Sequence, residues 1–125
     1  LGIFPEGTRS RNVEPPFLQN GKTGVARLAA SFPDVPVIPI CIIGSREVMP
    51  PGANLIRFWK AIDIHVAEPV TFGEWLISED GGDFSKSQLE MLSSVDEHGR
   101  SSIMKSLYRK FTDQLMGTIE QMGAP

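Results

Sequence analysis

The chain has 125 residues and one cysteine, Cys41, so it can form no intrachain disulfide. That thiol lies in an apolar stretch, where burial and chemical inertness are expected. The two histidines, His65 and His98, stand far apart and share no ligand spacing with Cys41, so no metal-binding pattern arises. No apolar run approaches the roughly 20 residues that span a bilayer, and no segment has the pattern of a signal peptide. Basic residues number 12 against 15 acidic ones, and the net charge of −3 gives no bulk attraction for nucleic acid. There is no Gly-x-Ser-x-Gly elbow. Gly21-Lys22-Thr23 fails as a phosphate loop because the position that needs the first glycine is Pro16. No internal repeat is visible. What remains is a globular composition, 41% hydrophobic and 22% charged, at the length of one domain.

The most informative stretch is Phe4-Pro5-Glu6-Gly7-Thr8-Arg9-Ser10. It follows Leu1-Gly2-Ile3-Phe4, which reads as the end of a β-strand. Pro5 cannot continue a ladder and Gly7 permits backbone angles closed to other residues, so a turn is predicted there. In α/β proteins ligands bind beyond the carboxyl ends of strands. Arg9 offers a planar fork for a phosphate, with Arg11 close behind, and Thr8, Ser10 and the turn's N–H groups add donors. Glu6 would repel a phosphate; it fits better as a partner of Arg9 or an acceptor for a substrate hydroxyl. The functional reading is a site for a phosphate and a neighbouring hydroxyl. The plainer alternative is a solvated turn with an Arg–Glu surface pair.

Val25, Leu28, Ala29 and Phe32 fall at i, i+3, i+4, i+7, which predicts an amphipathic helix over about 23–32, capped by Thr23 or Asn20 and ended by Pro33 and Asp34. Lys22 stands at its start, where free N–H groups and the helix dipole favour an anion. Arg9 and Lys22 could then approach one phosphate from two sides; a solvated lysine is the alternative. Residues 35–43 read as a buried strand of a parallel sheet, with Pro39 marking an edge or a bulge. Residues 44–52 read as a loop. Basic and aromatic residues mix over 56–60, either to touch a lipid or as ordinary packing. Ile62, Ile64 and Val66 alternate with Asp63, His65 and Ala67, which predicts a strand with one buried face, and 70–72 a short extension of it. Residues 78–100 read as an acidic, loop-rich segment with a helical turn or two over 85–92. Met104, Leu107, Tyr108, Phe111, Leu115, Ile119 and Met122 predict a closing amphipathic helix over 101–122, packed on the sheet. A membrane-surface role for that helix is disfavoured by Asp113 and Glu120.

Phe4-Pro5-Glu6-Gly7-Thr8-Arg9-Ser10 resembles the phosphate-binding motif of the glycerolipid acyltransferases, the 1-acylglycerol-3-phosphate acyltransferases and their relatives. Val35-Pro36-Val37-Ile38-Pro39-Ile40 is similar to that family's next motif, and 17–29 to the stretch that joins them. The likeness is specific over about 1–43 and weaker to about 72. It implies an α/β fold, here part of a mixed or parallel β-sheet with flanking helices. The chain would be the second half of a larger acyltransferase domain, with a motif-bearing part over 1–77. The resemblance also implies transfer of an acyl group from an acyl-CoA or acyl-carrier-protein thioester to glycerol 3-phosphate or a lysophospholipid, in phospholipid synthesis at the cytoplasmic face of a membrane. No cofactor is implied beyond the thioester co-substrate.

By the same resemblance Glu6, Gly7, Thr8 and Arg9 form the phosphate and glycerol site, joined by Lys22, and Phe4, Pro5, Val37, Ile38 and Pro39 line the pocket. The family's catalytic pair is His-x4-Asp. Five positions after His65 stands Val70, and five after His98 stands Ile103, so neither histidine fits. The chain is therefore expected to supply acceptor binding without the general base, and to be inactive alone. The alternative is a non-catalytic module that binds phosphate or anionic lipid.

Overall fold

The computed structural model describes residues 1–8, 10, 12, 14–50, 52 and 54–124. Seven elements follow in order: α1 (Gly24–Ser31), β1 (Ile40–Ile43), α2 (Ser45–Val48), β2 (Asp63–Val66), α3 (Phe72–Ile77), α4 (Lys86–Ser94) and α5 (Glu97–Gln121). The core is helical. Val25, Ala26 and Ala29 of α1, Phe72 and Trp75 of α3, and Leu107, Phe111 and Leu115 of α5 form one buried cluster. At its centre three rings meet: Phe111 lies 5.3 Å from Phe72 and 5.1 Å from Trp75, edge-on to the latter. The Trp75 indole N–H donates to Gln114 Oε1 at 2.6 Å, so this large ring is buried without stranding its donor. Thr112 is also fully buried, and its hydroxyl has no hydrogen-bond partner among the described residues.

The helical periodicities are borne out, with shifted ends. α1 occupies the predicted span, and Thr23 holds the N-cap position without a side-chain bond. α5 starts at Glu97 rather than 101 because Asp96 caps it, accepting from the Gly99 N–H at 2.8 Å. α4 is a full helix over Lys86–Ser94, started by a capping box between Ser85 and Gln88. With the first turn of α5 it gives 78–100 more helix than the loop-rich expectation. Residues 70–72 do not extend a strand by themselves. Val70 makes one antiparallel bridge to Val37, and Thr71 then caps α3 by accepting from the Glu74 N–H at 3.2 Å. α2, a single turn, replaces part of the expected loop over 44–52. It follows Gly44, whose φ of +92° and close approach to the Ala61 carbonyl oxygen leave no room for a side chain.

The sheet differs most from expectation. β1 and β2 pair antiparallel, with Ile40 opposite Val66 and Ile42 opposite Ile64, and no parallel pair occurs among the described residues. Among its described residues the link over 44–62 contains only the short α2, whereas a parallel return needs a crossover, usually a helix laid on the sheet. Pro39 separates the Val37 bridge from β1, as an interrupting proline should. Ile62, Ile64 and Val66 are exposed rather than buried, as are Ile40 and Ile42 beside them. The pleat turns Cys41 and Ile43 the other way. Cys41 is buried, which pushes its thiol pKa up, and Ile43 approaches Gly123 at the end of α5. This face is covered by α5 at β1 but not at β2, where Asp63 and His65 are exposed, and the isoleucine face has no described element packed on it.

Candidate functional site

Leu1-Gly2-Ile3-Phe4 is not a strand: it is exposed, and among the described residues no strand lies beside it to complete a ladder. The turn that follows is formed as predicted. The Gly7 N–H donates to the Phe4 carbonyl at 3.0 Å, and Gly7 takes φ +68°. A side chain there would be strained and would also strike Lys22, since a Cβ on Gly7 would lie 3.0 Å from both Lys22 Cδ and Nζ. The bare glycine backbone therefore carries the Lys22 ammonium directly against the turn. The Lys22 N–H donates to the Pro5 carbonyl at 2.7 Å, locking the turn to the start of α1. Gly7 and Lys22, fifteen positions apart, thus meet at one exposed spot of positive charge.

Glu6 has a partner that the sequence did not announce, while the expected pairing with Arg9 lies outside the described residues. Its Oε2 accepts from the Gln19 backbone N–H at 2.8 Å, and the Gln19 amide donates to Ser10 Oγ at 3.2 Å. Glu6 therefore clasps the loop over 14–20 to the turn, and its charge is drawn toward a backbone donor. Thr8 is exposed beside Gly7. Arg9, the expected phosphate fork, and Arg11 lie outside the described residues.

Two arginines complete the support, and neither role was foreseen. Arg109 of α5 donates to the Gly21 carbonyl at 2.8 Å while paired with Asp113, holding the residue just before Lys22. Arg46 of α2 donates to the Asn12 carbonyl and lies 4.3 Å from the centre of the Phe17 ring. These contacts join segments 88 and 34 positions apart, and no local pattern announces them. Gly21 itself is buried on α5. A Cβ there would lie 2.7 Å from Met116 Cγ and from Thr112 Cγ2.

The remaining expected residues stand elsewhere. Phe4 is exposed and Pro5 half-buried in the turn. Val37 is half-buried at its bridge to Val70, and Ile38 is exposed. Pro39 is buried and borders a cleft of about 150 Å³ beside Trp75, Phe111 and Leu115. Among the described residues no hydrogen bond, ion pair or ring contact joins Phe4, Pro5, Glu6 or Gly7 to Val37, Ile38 or Pro39. Nor does any group of three or more His, Cys, Asp or Glu residues stand ready for a metal. No helix among the described residues is long and apolar enough to cross a membrane.

The arrangement can receive an oxyanion on a turn edge, with one ammonium in place and hydroxyls nearby. It offers no histidine there to take a proton, since His65 is exposed on β2 and His98 lies at the start of α5. The chain matches no curated protein and no solved structure. A family model described as Acyltransferase matches residues 1–43, which hold both the turn and Lys22. The match bears out the resemblance carried by Phe4-Pro5-Glu6-Gly7-Thr8-Arg9-Ser10: over residues 1–43 the chain is similar to the Acyltransferase family.

Proposed function

We propose that the chain carries the acceptor-binding part of an acyltransferase that esterifies glycerol 3-phosphate or a lysophospholipid such as lysophosphatidate. The observation that supports this most is the Lys22 ammonium held against Gly7 inside the family-matched segment. In this reading Gly7, Thr8, Arg9 and Lys22 grip the phosphate. Glu6 works from behind, fixing the turn through Gln19. The acceptor hydroxyl attacks the carbonyl of an acyl-CoA or acyl-carrier-protein thioester, and the thiol leaves. The general base that takes the hydroxyl proton, a His-x4-Asp pair, comes from polypeptide outside these 125 residues, since neither histidine here fits. Val37, Ile38 and Pro39 lie toward the acyl or acceptor pocket once that part is in place. The reaction belongs at a membrane surface, where its lipid acceptors reside.

The missing pair also favours a second reading, a module that binds phosphate or anionic lipid without catalysis. Both readings require phosphate recognition at the turn. Titration of glycerol 3-phosphate into the chain should show salt-sensitive binding, weakened tenfold or more in Arg9→Ala, as expected for losing a charge-assisted pair. Acyl transfer should be absent from the same samples. Unchanged affinity in Arg9→Ala would count against the phosphate role, and turnover would remove the need for an outside base.

A further inference from the structure

The loop between α2 and β2 is the most conspicuous surface feature that acceptor binding leaves unused. Leu55 is 81% exposed, Ile56 53%, Phe58 87% and Trp59 75%. Single exposed apolar residues need no explanation, but four within five positions do. The base of this loop is tied down. The Arg57 N–H donates to the Val48 carbonyl at 2.8 Å, and the Lys60 N–H donates to the Arg57 carbonyl at 3.2 Å, closing a turn. Phe58 and Trp59 are the two central residues of that turn, held out at its tip. Arg57 and Lys60 flank them, both exposed. No acidic residue lies between Glu47 and Asp63, although the whole chain carries −3. The charge is therefore reversed locally, around a pair of aromatic rings.

We propose that residues 55–60 form a membrane-contact loop that takes anionic phospholipid surfaces. Trp and Phe at a turn tip fit the boundary between headgroups and acyl chains, where a ring can be apolar on one side and wet on the other. Arg57 and Lys60 lie at the level of the headgroup phosphates, their stems alongside the rings. A protein partner would equally cover the rings, but the two cations without an intervening acid match an anionic sheet of charge. The proposal takes the membrane location from the acyltransferase reading and adds the contact. α2 links this loop to the motif segment, because Val48 holds Arg57 and Arg46 holds Asn12. A bilayer seated on the loop would therefore lie next to the elements that carry the acceptor site.

The test is co-sedimentation of the full chain with vesicles of phosphatidylcholine mixed with phosphatidylserine, and with vesicles of phosphatidylcholine alone. Binding is expected to the mixed vesicles, and weaker by roughly thirtyfold to the neutral ones, as for two basic residues near an anionic surface. The Phe58→Ser/Trp59→Ser variant should lose binding. The Arg57→Gln/Lys60→Gln variant should lose the preference for phosphatidylserine. All four positions are exposed, so native circular dichroism is expected throughout. Ile64→Thr, on the exposed sheet face, should bind as the parent does. Three results would overturn the proposal: no vesicle binding by the folded chain, unchanged binding in Phe58→Ser/Trp59→Ser, or self-association that this variant abolishes in the absence of lipid. Glycerol 3-phosphate titrated into the same samples separates the two ideas. Absence of vesicle binding by the parent chain with its acceptor affinity intact removes the loop alone, and vesicle binding without acceptor affinity removes the motif reading alone.

Discussion

Replacing Phe111 by alanine should cost about 3–5 kcal/mol of folding stability, a large share of the margin of any small domain. Phe111 is almost fully buried and meets Phe72 and Trp75 at ring distances of 5.3 and 5.1 Å, so truncation removes the ring on which both others pack. These rings join α3 to α5, and α5 in turn buries α1. The loss is therefore of the contact that unites the helices, and a cavity remains because three different elements would have to move to fill it. Urea unfolding followed by circular dichroism measures it. Met91→Ala, at an exposed position of α4, should stay within about 0.5 kcal/mol of the parent. A Phe111→Ala cost below about 1 kcal/mol would mean that the three rings do not form the centre of the core.

Gly21→Val should cost about 3 kcal/mol, the upper end of the range for overpacking, and should weaken phosphate binding without altering any charge. A Cβ alone would lie 2.7 Å from Met116 Cγ and Thr112 Cγ2, and valine adds two methyl groups beyond it. Met116 can shift. Thr112 is fully buried and β-branched, so it has little room to turn. The strain must lift the Gly21–Lys22 backbone from α5, away from Arg109, which holds the Gly21 carbonyl. Lys22 would then leave its place over Gly7. Comparing unfolding midpoints and glycerol 3-phosphate affinity in one variant tests the link between core and site. Full affinity in a destabilised Gly21→Val would show that the position of Lys22 does not depend on this contact.

The parts legible in the sequence were those governed by neighbours along the chain. Val25 and Ala29 are buried where their spacing placed them, and Leu107, Phe111 and Leu115 line the core side of α5. The turn at Gly7 follows from Pro5 and a glycine two positions on. α3 was missed, although Thr71 stands three residues before Glu74, a capping signal that the alternation of β2 overshadowed. The burial of β2 was not legible. Alternation tells which residues share a face, but not whether anything covers that face. Nor could local pattern pair Glu6 with Gln19, or Arg109 with Gly21, because each bond depends on how distant segments pack. The site was thus visible as a list of residue types, while the clasp and the supports behind it required the fold.

The measurement closest to the central claim is an NMR titration of the isotope-labelled chain with glycerol 3-phosphate, using glycerol as the control. The acceptor reading predicts that amide shifts concentrate at Gly7, Thr8, Gln19 and Lys22, grow with the phosphate compound, and are absent with glycerol. Shifts confined to other surfaces, or none at concentrations where the chain remains folded, would contradict it.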